Sequence, residues 1–319
     1  MHLSRSAFAV ALCLAVLAPT AARACSSCGC TLSSDWASQG YSAGPGWRVD
    51  FRYDYFNQDQ LRSGTHSVDR SSITLPTDQE IQQFTVNRNY TLTLDYSPNE
   101  NWGVNVQLPY FDRFHGTIAE GDTDISTSHT TSIGDVRVVA RYQGLTADHT
   151  LGLQFGIKLP TGSIHNVFST GPQAGQPLDR GLQPGTGTTD LLVGLYHFGA
   201  ISRDWDYFAQ VLLQQPLDTV EDFRPGTGLN ANVGVRYEAF ERVVPQLQIN
   251  ARAEKRESGL NADVDNSGAT LVYLSPGVTV LITPKLQVYG FIQVPIYQRV
   301  NGLQIEPRYT ASIGIHYSL

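Results

Sequence analysis

The run Trp47-Arg48-Val49-Asp50-Phe51-Arg52-Tyr53-Asp54-Tyr55 alternates without a break: every odd position is apolar or aromatic and every even one is charged. A period of two over nine residues is the pattern of a β-strand with one apolar and one charged face. In a soluble sandwich the charged face would meet water. In a membrane barrel it would line the lumen, and the rest of the chain has to decide between the two.

Working outward, the same alternation recurs near 84–96, 102–113, 133–143, 150–159, 189–198, 205–215, 229–239, 246–255, 270–282, 286–297 and 308–319. With 47–56 this predicts twelve strands, each about 10 residues long, the length a tilted strand needs to cross a bilayer. Longer polar connections (57–83, 114–132, 160–188, 216–228, 256–269 and 298–307) follow the odd-numbered strands. Short turns such as Ser97-Pro98-Asn99-Glu100-Asn101 and Thr283-Pro284-Lys285 follow the even ones. Long loops at one end and tight turns at the other predict an all-β, transmembrane antiparallel barrel with both termini on the turn side.

Smaller signals fit that register. Gln107-Leu108-Pro109, Lys158-Leu159-Pro160, Gln214-Gln215-Pro216 and Gln293-Val294-Pro295 each set a proline near the long-loop rim, where a missing N–H donor is tolerated. Trp47, Tyr96, Trp102, Trp205 and Tyr207 fall near turn-side ends, and Tyr110, Phe111 and Tyr297 near the other rim, as interfacial aromatic belts require. The last strand alternates through Ile313, Ile315, Tyr317 and Leu319, like the C-terminal insertion signal of outer-membrane barrels, except that the final residue of that signal is usually aromatic.

Composition narrows the class further. Of 319 residues, 41% are hydrophobic and only 16% are charged, against ~25% charged in ordinary soluble domains. Three Lys and nineteen Arg are scattered along the chain and outnumbered by 29 acids, which excludes a basic nucleic-acid surface. Arg5, the apolar run 7–18 and the small-residue site Ala22-Arg23-Ala24 predict a secretory signal peptide over 1–24. Beyond it no stretch approaches the ~18 apolar residues of a spanning helix. The expected organisation is a signal peptide (1–24), a Cys-rich periplasmic arm (25–46) and a barrel (47–319) in the outer membrane of a Gram-negative bacterium. Its partners would be outer-membrane lipid, lipopolysaccharide and a small-molecule solute.

Inward-facing charges are the candidate lumen and selectivity residues. The first strand supplies Arg48, Asp50, Arg52 and Asp54; the next inward positions are Asp95, Asp135, Arg137 and Arg141. Lys158, Arg236 and Glu238 follow, then Arg252, Glu254 and Arg308. On the lipid side each basic group would cost ~2–4 kcal/mol at mid-depth, so the lumen is where they belong. Whether they form a ladder of structural ion pairs or line a pore is left open by the sequence.

Cys25-Ser26-Ser27-Cys28-Gly29-Cys30 admits three readings: one disulfide with a cysteine left over, a soft-metal site for Cu or Zn, or lipidation of Cys25, which Ala22-Arg23-Ala24 fits less well than general signal cleavage. Covalent haem is disfavoured, because no Cys-x-x-Cys-His occurs. The arm is long enough to fold into the lumen as a plug or to meet a periplasmic partner. The outer loops carry an acidic excess, including Asp122, Asp179, Glu221, Asp263 and Asp265, which ordinary solvated loops explain.

Gly156-Ile157-Lys158-Leu159-Pro160-Thr161-Gly162, followed by Gly185-Thr186-Gly187-Thr188-Thr189-Asp190-Leu191, resembles the outer-membrane barrel family named for the meta-pathway of phenol degradation. The resemblance covers 46–319. It implies a transport channel for small, aromatic molecules and supplies no catalytic residues. No G-x-S-x-G occurs and the one strand His-x-Ser, His316-Tyr317-Ser318, sits at the turn end, so an enzyme is not expected. Three functions follow as expectations: a solute channel with an Arg/Asp-lined lumen, a soft-metal binder acting through the cysteines, and a closed barrel that scaffolds a partner.

Overall fold

The computed structural model describes Trp36, Gln39, Gly40 and residues 44–319. In chain order the strands are β1 (Gly46–Gly64), β2 (His66–Ser67), β3 (Ile81–Ser97), β4 (Trp102–Ile118), β5 (Ser126–Ile133), β6 (Arg137–Tyr142) and β7 (Leu151–Lys158). There follow β8 (Asp190–Ala200), β9 (Trp205–Pro216), β10 (Gly228–Tyr237), β11 (Val243–Glu254), β12 (Ala269–Leu281) and β13 (Leu286–Ser318). All pairings are antiparallel; leaving aside β2 and β5, each strand pairs with the next along the chain, and β13 returns to β1, so the sheet closes on itself. Closure removes the unpaired edges that an open sheet of this length would expose.

Eleven strands form this wall, with β2 and β5 outside the path, yet twelve staves cross it. Strand direction alternates from β1 to β12, so the part of β13 beside β12 must run opposite to the part beside β1. Residues 287–300 of β13 pair with β12 and 303–318 pair with β1. The strand therefore doubles back at Asn301-Gly302, where Gly302 adopts φ 59°, a left-handed turn conformation that glycine permits. Tyr289 on one limb lies against Gly314 on the other.

Period-two alternation sets the two faces as the sequence requires. Arg48, Asp50 and Asp54 are buried inside, whereas Trp47, Phe51, Trp102, Phe155, Leu195 and Ile315 are exposed on the outer surface. That surface is bounded by stacked rings at the turn side: Trp47 on Tyr96 at 4.5 Å, Trp102 by Tyr142 at 4.8 Å and Trp205 by Tyr237 at 5.0 Å. On the far side outward-facing polar groups resume at Asp112, which lies 3.4 Å from Arg88 and 2.8 Å from His129. Arg88 sits opposite Tyr55, eight residues above Trp47; at ~3.3 Å per residue and a tilt of ~40° the apolar belt spans roughly 20 Å, close to the ~25 Å of membrane barrels.

Several boundaries differ from the sequence expectation. The connection 114–132 is mostly strand, because β4 runs on to Ile118 and β5 pairs with its upper half. The connection 298–307 is a tight reversal within β13. Both stretches are polar because they stand above the apolar belt, and polarity alone reads as loop. The prolines mark interruptions of pairing more than a rim: Pro109 sits where β4 changes partner from β6 to β5, and Pro295 at the register shift against β12. Phe111, expected in an aromatic belt, points into the lumen. At the seam, Leu319 N–H donates to the Trp47 carbonyl at 2.9 Å, so the end of the chain closes on its first strand.

Candidate functional site

The lumen falls into three levels. At the turn side, Arg48 and Arg141 converge on Asp95: Arg48 Nη1 lies 2.5 Å from Oδ1, and Arg141 meets both carboxylate oxygens. Both guanidinium groups also donate to Ser97 Oγ, at 3.0 and 2.6 Å. Arg141 is fully buried, and its side chain fills the place beside Gly103, where any Cβ would collide with the guanidinium. These inward charges are a structural crosslink of β1, β3 and β6.

The same level is crossed by the arm. Trp36 Nε1 donates to Asp50 Oδ2 at 2.9 Å, and the Tyr289 hydroxyl donates to Asp50 Oδ1 at 3.0 Å. The Trp36 ring packs on Tyr289 at 4.7 Å and on His316 at 5.1 Å, making a buried cluster with Phe291. Three residues on, the Gln39 carbonyl accepts from Arg236 Nη1 at 2.7 Å. Gly40, at φ 82°, approaches the Phe198 ring so closely that a Cβ would lie 2.6 Å from it. Trp36 thus stands against the β13/β1 wall, and Gln39 and Gly40 against the β8/β10 wall, inside the barrel. Cys25, Cys28 and Cys30 lie outside the described residues. Among the described residues no group of three His, Cys, Asp or Glu could hold a metal.

The middle level is a cavity of about 340 Å³. Amide side chains furnish much of its wall, among them Asn105, Gln107, Gln154, Gln210, Gln214 and Asn232. Arg52, Asp54, Arg137, Arg252 and Glu254 also line it, with Arg52 paired to Asp54 at 2.8 Å and Arg252 to Glu254 at 2.8 Å. Arg137 Nη2 donates to Gln214 Oε1 at 3.2 Å.

At the outer level the connection 159–189 folds inward and forms part of the cavity wall through Arg180, Gly181, Gln183 and Thr186. Its base is tied at Asp135, which stands at the break between β5 and β6. The Asp135 carboxylate accepts from Lys158 Nζ at 2.7 Å and from the backbone N–H groups of Gly162 and Thr186 at 3.0 and 2.9 Å. Lys158 also donates to the Thr188 carbonyl at 2.9 Å and lies 3.5 Å from Asp190. The two glycine-rich segments of the sequence therefore meet. A Cβ on Gly162 would lie 2.7 Å from Gly185 Cα, so glycine is needed for this backbone contact. Further in, Arg113 Nη1 donates to the Leu182 carbonyl at 2.7 Å, and Leu182 is buried with Phe168 and Leu178.

Twelve of the fourteen sequence-selected charges face the lumen. Arg308 does not: β13 bulges between Pro307 and Thr310 against β1, so Arg308 and Tyr309 both point outward and Arg308 pairs with Asp59 at 3.2 Å. A bulge adds one residue and inverts the phase beyond it, and nothing in the local alternation announces it. Glu238 lies past the end of β10, exposed at the turn-side rim, though still 3.4 Å from Arg236. The sequence reading missed Arg113 and Asp190, both inward in the unbroken phase of their strands and both inside the expected ranges 102–113 and 189–198, so the period itself marks them. Trp36 and Arg180 carried no such signal, because the arm and the loop have no period.

No protein-family model matches the chain, and no curated protein matches it. Among solved structures, an outer-membrane channel from Pseudomonas putida F1 superposes with a TM-score of 0.64 at 13% identity, covering 90% of this chain and 99% of that one. The NanC porin superposes with a TM-score of 0.48 at 11% identity, covering 85% of this chain and 100% of that one. The first of these likenesses shows the fold: a closed antiparallel β-barrel built like a bacterial outer-membrane channel.

Proposed function

We propose that the protein is an outer-membrane channel for small solutes, whose path is narrowed by Trp36, Gln39 and Gly40 at the turn side and by the inward connection 159–189 at the other. The observation that carries this reading is the mid-lumen cavity, lined by amides and charges from most of the wall strands. A barrel serving only as a scaffold has no need of a solvent space of about 340 Å³ surrounded by side chains able to exchange hydrogen bonds with a solute. The fold shared with the Pseudomonas putida channel supports the same reading. So does the resemblance of 156–162 and 185–191 to the phenol meta-pathway barrels, which favours a small aromatic solute. The exposed apolar belt supports placement in the outer membrane, with the arm on the periplasmic side.

Reconstitution tests it. The refolded protein in a planar bilayer should give single-channel steps, and liposomes carrying it should swell in small solutes. A barrel that inserts, shows heat-modifiable migration and yet gives neither would overturn the proposal.

A further inference from the structure

We infer that the mid-lumen cavity holds an anion site for small organic carboxylates, centred on Arg113. This rests on the channel reading and goes beyond it by naming a solute class and the residue that selects it.

The charges of the cavity wall are mostly settled among themselves. Arg52 has Asp54, Arg252 has Glu254, and Lys158 has Asp135 and Asp190. Arg180 reaches Glu221 at 2.7 Å on the exposed side of the loop. Arg113 is the exception. Its guanidinium is 95% removed from solvent, and its partners are Asn87 Oδ1 at 2.8 Å and the carbonyls of Leu182 and Gly181 at 2.7 and 3.4 Å, all neutral. No carboxylate of the described residues lies within ion-pair distance of it, although the chain as a whole carries a net charge of -7. Removing a cation from water costs several kcal/mol unless a counter-charge is supplied. Carbonyl dipoles offset part of that. A solute carboxylate entering the cavity would supply the rest through Nη2, the guanidinium nitrogen that neither Asn87 nor the loop carbonyls engage.

The surroundings fit an anion with an apolar body. Phe111 lies under Arg113 at 5.6 Å and Phe223 under Arg180 at 5.1 Å, and both rings line the cavity. They come from different elements, β4 and the connection after β9, so the space between is bounded by rings and edged by guanidinium nitrogens. Neutral amides on the rest of the wall accept or donate without adding charge of either sign. The lining carries six basic residues (Arg52, Arg113, Arg137, Lys158, Arg180 and Arg252) against four acidic ones, Asp54, Asp135, Glu254 and Glu257. The lining itself carries two more basic than acidic groups, while Asp190 and Glu221, which pair with Lys158 and Arg180, stand just behind it.

Two measurements test this. In bilayers, a salt gradient should give a reversal potential favouring chloride over potassium, and benzoate should block the current while benzamide, the neutral isostere, should not. Arg113→Gln should weaken the benzoate block by about tenfold, the scale of one charge-assisted pair, and move the reversal potential toward cations. Arg113→Lys, which keeps the charge but loses the fork, should keep the ion preference and weaken only the block. The retained preference separates a charge effect from mere loosening of the loop that Arg113 holds. Calorimetric titration of benzoate and benzamide into the detergent-solubilised barrel reads the same site without conduction. Absence of current with benzoate binding intact would sink the channel reading and keep the site. Current that prefers cations, equal effects of benzoate and benzamide, or an unaltered Arg113→Gln protein would sink the site and keep the channel.

Discussion

Two levels of one lumen, built from the same alternating strands, use inward arginine in opposite ways. At the turn side Arg48 and Arg141 close on Asp95 and Ser97, and the space is filled. One level up, Arg113 is held by an amide and by loop carbonyls, and the space stays open as a cavity. The difference lies in what stands opposite. Arg48 and Asp95 are directly paired across β1 and β3, and Arg141 arrives from β6, beyond β4, to complete the triad. Arg113 has Asn87 across the sheet and loop carbonyls in front of it. A period of two therefore decides that a charge faces inward, and the cross-strand partner decides whether it crosslinks the wall or remains available to a solute.

The largest effect should come from breaking the closed level. Asp95→Ala strands Arg48 and the fully buried Arg141 without their carboxylate, a loss of about 3–5 kcal/mol. Denaturant unfolding of the refolded barrel, followed by its heat-modifiable migration, measures this. A loss under ~1 kcal/mol would show that the triad is no crosslink and erase the contrast between the two levels.

A second prediction sets the lumen against the lipid face at a single depth. Val106 and Gln107 are adjacent on β4, the first facing out beside Leu94 and the second lining the cavity. Val106→Arg should cost ~2–4 kcal/mol and impair assembly, while Gln107→Arg should cost little, because only the first places a cation in lipid. Equal effects would invert the register, and with it every inward assignment.

These residues also show what a sequence can and cannot disclose. The charged alternation of 47–55 is enough to assign the two faces of the first strand, since each of Arg48, Asp50, Arg52 and Asp54 is inward as the period requires. The knot at Asp135, Lys158, Gly162 and Gly185 is visible as two glycine-rich segments, but its closure depends on a break between β5 and β6 that has no compositional mark. Arg308 fails for a related reason, the unannounced bulge beside it. The arm is opaque: Trp36 is placed by Asp50, Tyr289 and His316, residues 14, 253 and 280 positions away, and such distant partners leave no local period.

Trp36 gives the third prediction. Trp36→Ala removes the ring from its seat on Tyr289 and leaves Asp50 with one donor fewer. The barrel should lose less than at Asp95, about 1–2 kcal/mol, because the wall itself stays intact. Single-channel conductance should rise, since the Trp36 ring narrows the turn-side level. An unaltered conductance would leave the middle cavity as the sole constriction.

The smallest effect concerns a buried carboxylate with no cation beside it, the counterpart of Asp95. Asp263, in the outer connection between β11 and β12, is buried, with Asn266 donating to it through its backbone N–H at 3.0 Å and its side-chain amide at 3.2 Å. Burial outweighs those two bonds, and the neighbouring Asp265 adds repulsion, so the Asp263 carboxyl is pushed up from 3.8 to about 6. A raised folded value means that the folded loop binds the proton more tightly than the unfolded one. The stabilisation is complete below pH 3.8 and is lost as pH rises through about 6. Hydrogen exchange at the Asn266 amide, corrected for the intrinsic rate, should therefore show a better protected loop at pH 4.5 than at pH 7.5. Asp263→Asn should flatten that dependence, because the uncharged amide keeps the buried shape at both values. If the variant keeps the slope of the wild type, another group in the loop governs it, and the contrast with Asp95 narrows to geometry alone.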